Sequence, residues 1–480
     1  MAKKVVNNDV KDTIIKVPIS KFIDTQFRNY ALYVLESRGI PSFYDALTNV
    51  QRYILKNCPA NFVKSLTVVG KCIEDHYHHG NSSLDSAIAR MTRPFGNSAQ
   101  LLDGYGFFGT EVCPFPSAAR YTSVRLSPMT RELMSKYSYL TTRISEGPYN
   151  HFWLECPIGL TLPVIGIAVG YKTMILPRKI EEIQKYIKGE KADLKPYLQG
   201  YKGTIKQFQT HKNWLFQGTV TTDNKKINVT NMPPMLKYTS VLKKIDTMFS
   251  KYEGKLGMEN NSDTIVNITF NYRGNSQQEF DDIVKYITKT FSIIVSENIV
   301  FIKDSKVLEY DTIEEYLEDW KWQYSRLKYT DAEYRKKEAN KELSYNKAKK
   351  EFIEYIISEK RNDNEITEFL SKHEPQTIER LERLTSRKFT IDELKLTENN
   401  INDWNSKSIE YTDLSKKLKD EFAKYIDPTD KKSKSSKKIF SNLFDTSDIN
   451  EIDGIMVWNG EDPNYNDLTP ETDKENNELI

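Results

Sequence analysis

The spacing of apolar residues changes rhythm along the chain, and each change marks a unit. The first nineteen or so residues are polar with short β-like runs (Val5–Val6, Ile14–Val17), and residues 1–19 read as an N-terminal arm. From Ser20 the apolar positions Phe22, Ile23, Phe27, Ala31 and Val34 recur mostly at three- and four-residue steps. That period predicts a helix, with Ser20 as its cap and Gly39-Ile40-Pro41 as its stop. Asp45–Leu55 predicts a second, short helix. A third starts near Asn81-Ser82 and runs through Leu84, Ile88 and Met91 to Pro94. Short helices followed by the glycine-rich segment Asp103–Gly109 are compatible with a helix-turn-helix or winged-helix unit over residues 20–144.

Residues 145–308 have a different texture. Strand-like runs (Phe216–Val220, Thr264–Phe270, Ser292–Phe301) alternate with polar helices (Lys179–Lys188, Phe280–Thr290), which predicts an α/β domain. Asp311 and Glu314 then form a capping-box-like pair that opens a long helix. Its stripe of Leu317, Trp320, Tyr324, Leu327 and Tyr334 has a near-heptad rhythm, resumes at Tyr345, Ala348, Phe352 and Tyr355, and needs a partner helix to cover it. The partner is expected at about Glu398–Ile426, carrying Ile401, Trp404, Tyr411, Leu414 and Leu418, with a compact block around Pro375 between the two. Residues 309–428 thus predict an antiparallel helical arm with a knob whose exposed tip serves as a dimer contact. The remainder, 429–480, opens with KKSKSSKK, turns acidic and reads as disordered, with Ile452–Trp458 as a short docking segment inside it.

The fold class expected from this order is α+β and multidomain, and 480 residues are enough for two to four units. Hydrophobic residues make up 38% and charged residues 28%, and no apolar run reaches the ~18 residues of a membrane span. The N-terminus has lysines but no apolar core of a secretory signal, and the four cysteines show no CxxC spacing, so a cytoplasmic location is expected. Net charge is 69 − 67 = +2, but arginines are frequent between Arg28 and Arg125, interleaved with histidine, tyrosine and serine. A neutral total can conceal a basic face of the kind that binds phosphate backbones, though such a run is more often a solvated face.

The segment Tyr77–Arg125 holds the candidate chemistry: YHHGNSS, DGYGFFG and SAARYTSVRLS. Transient DNA cleavage needs a nucleophile that attacks a phosphodiester and keeps the bond energy for resealing. A tyrosine phenol suits the task once cations, a base or a metal activate it, because its ordinary pKa is near 10. Arg120 precedes Tyr121 and Arg125 follows it, and guanidinium groups fit phosphate oxygens in a bidentate fork. His78 and His79, beside Gly80, supply groups able to move or share a proton near neutral pH. With no acidic cluster of matching spacing nearby, no self-contained metal site is expected.

The succession SRGIP…VQR, YHHGNSS, RMTRPF, LLDGYGFFG, ARYTSVRLS and GIAVGY resembles the breakage–reunion subunits of type IIA DNA topoisomerases. In style it is nearest to the medium subunit of the T-even-phage branch, with the A subunits of gyrase and topoisomerase IV further off. The resemblance is dense over Ala31–Arg125 and again over Val164–Pro177. It implies that Tyr121 is the DNA-linking tyrosine, that Arg120 and Arg38 act at the scissile phosphate, and that His79 lies near the cleaved strand. It further implies DNA contacts from Arg52, His78, Ser82, Arg90 and Arg125, and an apolar wedge, Ile167, that enters between base pairs and bends the duplex. The implied architecture is a winged-helix DNA gate, an α/β tower, and a coiled-coil arm whose tip is a second dimer gate.

The chain departs from the family pattern where DGLKPVHRR would stand (here Asp45-Ala46-Leu47-Thr48-Asn49-Val50-Gln51-Arg52-Tyr53), where YHPHG is shortened to YHHG, and where DGQGNFG has become DGYGFFG. No glycine-rich ATP-binding pattern and no EGDSA/DxD acidic cluster is present. By resemblance, Mg²⁺ and ATP are bound by a partner subunit with ATPase and TOPRIM parts, and this chain acts on double-stranded DNA as a homodimer inside that assembly. No C-terminal β-propeller repeat is visible, so gyrase-like wrapping is not expected. A second reading of the same residues is a non-catalytic architectural dimer that bends DNA, with Tyr121 as packing. A third, a tyrosine recombinase, conflicts with so early a tyrosine.

Overall fold

The computed structural model describes residues 18–140, 151–357, 363–385 and 388–431, together with strands at 449–452 and 455–458. Most of the predicted N-terminal arm and acidic tail lies outside the described residues. The first helical run is continuous from Ile19 to Gly39, with α-turns at Ile19–Phe22 and Arg28–Val34 alternating with π-turns at Ile23–Phe27 and Leu35–Gly39. It stops where the sequence places Gly39-Ile40-Pro41. Three helices follow, Asn49–Asn57, Ser65–Glu74 and Asn81–Thr92. The first is opened by a capping box of Thr48 and Gln51. The middle one has no counterpart in the sequence reading. Its SLTVVGKCIE is rich in β-branched residues and carries a glycine, so local propensity does not announce it. Burial of Val68, Val69 and Cys72 in the common core stabilises it instead.

A small antiparallel sheet closes this unit, with Ser123–Leu126 in the middle, Val63–Lys64 on one side and Leu102–Tyr105 on the other. The core under it extends further than the sequence suggests. Phe152, Leu154, Ile158, Leu160, Ile183 and Ile187 pack into the same cluster as Leu84, Ile88 and Val124. Several apolar side chains beyond the expected boundary at residue 145 are thus buried in the first core. The α/β region beyond has cores of its own, one built on Val241, Ile245, Phe270 and Ile283, the other on Leu176, Trp214 and Phe216. Its helices include Tyr238–Lys251, which the sequence reading missed, and Gln277–Thr290, which it found.

The long helix runs from Ile313 to Ile357, 45 residues or roughly 67 Å. Its return partner, Ile391–Phe422, starts seven residues before the expected Glu398, at a capping box of Thr390 and Glu393. The pair is antiparallel in register: Glu333 meets Ser415, Asn340 meets Ser408, and Lys350 meets Glu398. At the far end Phe352, Ile366, Leu370 and Leu381 form the small core of the knob. Within 429–480, most of which lies outside the described residues, Ile449–Ile452 pairs antiparallel with Ile455–Trp458.

The base of the arm is bolted to the first unit through one turn. The Tyr316 hydroxyl donates to the Phe43 carbonyl at 2.8 Å, and Trp320 Nε1 donates to the Tyr44 carbonyl at 3.0 Å. Asp45 in the same turn is fully buried and accepts from Arg52 Nε at 2.9 Å and Nη2 at 3.2 Å. A second close fit joins the end of the first helix to the hairpin of Val164–Ile167 and Lys172–Ile175. A Cβ on Gly166 would lie 1.6 Å from the Gly39 carbonyl oxygen, so two backbones touch there without a side chain between them.

Two stability outcomes are expected in chemical denaturation. Arg52→Ala leaves the Asp45 carboxylate buried and unpaired and costs about 3–5 kcal/mol. Gly166→Ala forces the hairpin away from Gly39 and costs about 1–3 kcal/mol or more. Losses near zero in either case would contradict the packing described.

Candidate DNA-cleavage site

Tyr121 sits on a short loop that the surrounding backbone holds from two sides. The loop enters the central strand at Ser123, and its residues are tied to the start of the Ser65–Glu74 helix. Ser65 N donates to the Thr122 carbonyl at 3.0 Å, Leu66 N donates to the Ala119 carbonyl at 3.3 Å, and the Ser65 and Thr122 hydroxyls are 2.8 Å apart. Thr122 is buried while its neighbour Tyr121 is 65% exposed, so the anchor is inside and the phenol is outside. The Arg120 guanidinium lies over the Tyr121 ring, 4.7 Å from its centroid. Arg120 is itself exposed, which keeps a positive charge beside the phenol with its donors open to an anion.

A second cluster forms where the first helix ends. Arg38 Nη2 lies 3.1 Å from His79 Nδ1, although 41 residues separate them. Since the guanidinium only donates, Nδ1 accepts and the imidazole is neutral with its proton on Nε2. Burial, then the charges of Arg38 and His78, hold the His79 pKa below its ordinary 6.5. The ring packs edge-on against Tyr77 at 5.2 Å, and the Tyr77 hydroxyl reaches Ser83 Oγ at 2.8 Å, which donates to the Gly80 carbonyl at 2.7 Å. This chain of contacts ties the YHHG turn to the start of the Asn81–Thr92 helix. His78, Ser82 and Arg90 are exposed on that helix and the turn before it. Among the described residues no hydrogen bond or ring contact links Tyr121 or Arg120 to Arg38 or His79.

Two of the expected DNA contacts are used otherwise. Arg52 is buried, its guanidinium spent on Asp45 and on the Leu47 carbonyl at 3.0 Å, so it does not present a charge to a phosphate backbone. The partner lies only seven residues earlier in the chain, and a charge-pair reading of Asp45 and Arg52 would have found it. Arg125 is half-buried, paired with Asp103 at 3.0 Å and stacked over the Phe62 ring at 4.5 Å. It braces the sheet edge to its neighbour. Lys64 is exposed one residue before the Ser65–Thr122 anchor.

Ile167 projects from the hairpin with 78% of its surface exposed, and Ile165 stands exposed beside it because residues i and i+2 of a strand share a face. Large aliphatic side chains so exposed on a two-stranded ribbon have no packing role in this chain. Among the described residues no three His, Cys, Asp or Glu side chains converge as a metal site. No helix in this range is long and apolar enough to cross a membrane.

A profile of the family formed by the A subunits of DNA gyrase and topoisomerase IV matches residues 38–450. The DNA topoisomerase medium subunit of Enterobacteria phage T4 is 25% identical over 428 residues, covering 78% of this chain and 91% of that protein. The DNA gyrase A subunit of Haemophilus influenzae is 26% identical over 288 residues, 52% of this chain; the match spans only 33% of the gyrase protein's length. Among solved structures, the Plasmodium falciparum topoisomerase II DNA-binding, cleavage and re-ligation domain superposes with a TM-score of 0.67 at 20% identity, covering 85% of this chain and 64% of that one. The profile match runs through the Arg38–His79 pair, the Tyr121 loop, the Ile167 hairpin and both long helices, and by it this chain belongs to the family of DNA gyrase and topoisomerase IV A subunits.

Proposed function

We propose that the chain is the DNA cleavage–religation subunit of a type II topoisomerase, with Tyr121 as the nucleophile. In this reading the three short helices and their sheet are a winged-helix DNA gate, the α/β region is the tower, and the antiparallel helices are a coiled-coil arm with a dimer gate at its tip. The observation that carries the proposal is the setting of Tyr121: an exposed phenol on a loop pinned at Ser65–Thr122, with an open guanidinium over its ring.

The chemistry follows from these groups. The Tyr121 hydroxyl oxygen bonds to phosphorus as the bond to the deoxyribose 3′ oxygen breaks. The phenol proton is lost and the 3′ oxygen leaves as a hydroxyl, giving a 5′-phosphotyrosyl link. Arg120 faces the phosphate oxygens on which negative charge accumulates. Neutral His79 holds Arg38 in place through Nδ1 and keeps an Nε2 proton to donate. Religation is the reverse, so no net bond energy is lost. Two copies cut the two strands, a second duplex passes, and Ile167 holds the cut segment bent. In this reading Mg²⁺ and ATP are bound by a partner subunit with TOPRIM and ATPase parts. When bound, the metal would stabilise charge on the scissile phosphate.

Assembled with its ATPase/TOPRIM partner, Mg²⁺ and supercoiled DNA, the chain is expected to yield a denaturant-trapped covalent adduct that maps to Tyr121. Tyr121→Phe is expected to abolish that adduct and the change in linking number. If the complex binds and bends DNA but leaves linking number untouched after deproteinisation, the architectural reading replaces this one.

The pH dependence has a definite sign. Because the His79 pKa is lowered, the imidazole stays neutral through pH 7, and protonation removes the acceptor for Arg38 only below the ordinary 6.5. Cleavage is therefore expected to hold as pH falls from 8 to about 6.5 and to drop below it. In an NMR titration the His79 midpoint should lie under 6.5, and Arg38→Ala, which removes one of the two charges pressing it down, should raise it. A midpoint at or above 6.5 in the unaltered protein would contradict the pairing.

A further inference from the structure

The two positions at which DGYGFFG departs from the family pattern DGQGNFG hold aromatic side chains that stand in solvent. Tyr105 is 76% exposed and Phe107 is 41% exposed, whereas the next residue, Phe108, is buried in the core. Across the same loop Phe115 is 76% exposed. The backbone brings these residues to Tyr121. Tyr105 pairs with Ser123, two positions beyond the tyrosine. Ser117 N donates to the Phe107 carbonyl at 3.0 Å, and a Cβ on Gly106, at φ 112°, would lie 3.4 Å from the Tyr121 carbonyl oxygen. The strand end 105–107 and the loop 115–121 therefore run side by side as backbone, with the exposed Tyr121 phenol on that loop and the Arg120 guanidinium over its ring.

Large aromatic surfaces gathered in water beside an open cation have the composition of a nucleobase-stacking platform. Inside an intact duplex every base has both faces covered. Breaking a strand frees one face of the base at each new end, and an aromatic ring beside the break can cover it. We infer that Tyr105, Phe107 and Phe115 form a subsite for the base at the end of the strand joined to Tyr121. They are positioning residues: stacking favours the cut state over the resealed one and weights which base stands next to the cut. The inference rests on Tyr121 being the DNA-linking residue. It assigns to this chain a grip at the break that is made by ring faces, where the family pattern has polar amides.

The test uses the full chain and two readouts. The first needs no partner: a duplex with a 5′ overhang ending in 2-aminopurine, whose fluorescence is quenched when its ring stacks. The unaltered chain is expected to quench the probe, and the combined variant Tyr105→Gln, Phe107→Asn, Phe115→Ala to bind it about tenfold more weakly, with binding to a blunt duplex of equal length unchanged. The second readout adds the partner subunit and Mg²⁺. The variant should still form the Tyr121 adduct, but with a smaller covalently linked fraction and a relaxed base preference beside the cut. Unchanged quenching together with an unchanged cut-site distribution overturns the inference. So does loss of partner-subunit binding with quenching intact, which would make the patch a protein interface. Tyr121→Phe separates the two ideas, since it should keep the quenching and lose the adduct. If the unaltered assembly forms no adduct while quenching still depends on the aromatic residues, the cleavage reading falls and takes the Tyr121-linked subsite with it, leaving only base stacking at a strand end.

Discussion

The Asp45 carboxylate has no access to water, and the joint between the first unit and the helical arm is built outward from the donors that surround it. Besides Arg52, it accepts from the Leu47 amide at 3.0 Å and the Phe152 amide at 3.3 Å. A buried carboxylate is costly unless charge and hydrogen bonds compensate it, and here a guanidinium and two amides do so at once. The result is a turn with one available shape. Ala46 is held at φ 56°, a region ordinary residues avoid, and a Cβ on Gly159 would lie 2.0 Å from its carbonyl oxygen. With the turn rigid, the carbonyls of Phe43 and Tyr44 become fixed acceptors for Tyr316 and Trp320 at the root of the arm. Lys303, buried as well, adds a bond from its ammonium to Asp427 just past the returning helix at 2.9 Å, so both strokes of the arm end on the same small region.

What the sequence revealed follows the range of the forces involved. Helices with a clean apolar stripe and a local stop, such as 19–39, 277–290 and 313–357, were legible because both signals lie within a few residues of the element. The Ser65–Glu74 helix was not, because its residues favour strands locally and its helicity comes from the core it fills. The packing of Phe152, Leu154, Ile158 and Leu160 with Leu84 and Ile88 was not legible for the same reason: which core an apolar run joins is decided by residues far away in the chain. At the site, Tyr121 and Arg120 were legible as neighbours in one motif. Motif order marks both Arg38 and His79, but nothing in their spacing announces a hydrogen bond across 41 residues. Arg52 and Arg125 show the opposite failure. Position within a motif marked them for phosphate, while Asp45 and Asp103, both close by in the fold, had already neutralised them.

The contact of Gly39 with Gly166 decides how these pieces can move. Gly39 follows Arg38 directly, and Gly166 lies between the exposed Ile165 and Ile167. At that crossing a Cβ on Gly39 would also sit 2.7 Å from the Ala168 side chain, so neither backbone has room to slide past the other. Most packed elements meet through side chains, whose rotamers absorb small displacements. Here that cushion is missing. A force that tilts the hairpin through its exposed isoleucines therefore reaches the helix end that carries Arg38, and with it the His79 ring bonded to it, over a path of two residues. Glycine at both positions is what makes the approach possible, which is a packing requirement and not one of conformational freedom, since neither residue has a positive φ. The stiffness of that crossing, more than the strength of any single polar contact, sets how faithfully a displacement of Ile167 is transmitted to the Arg38–His79 pair.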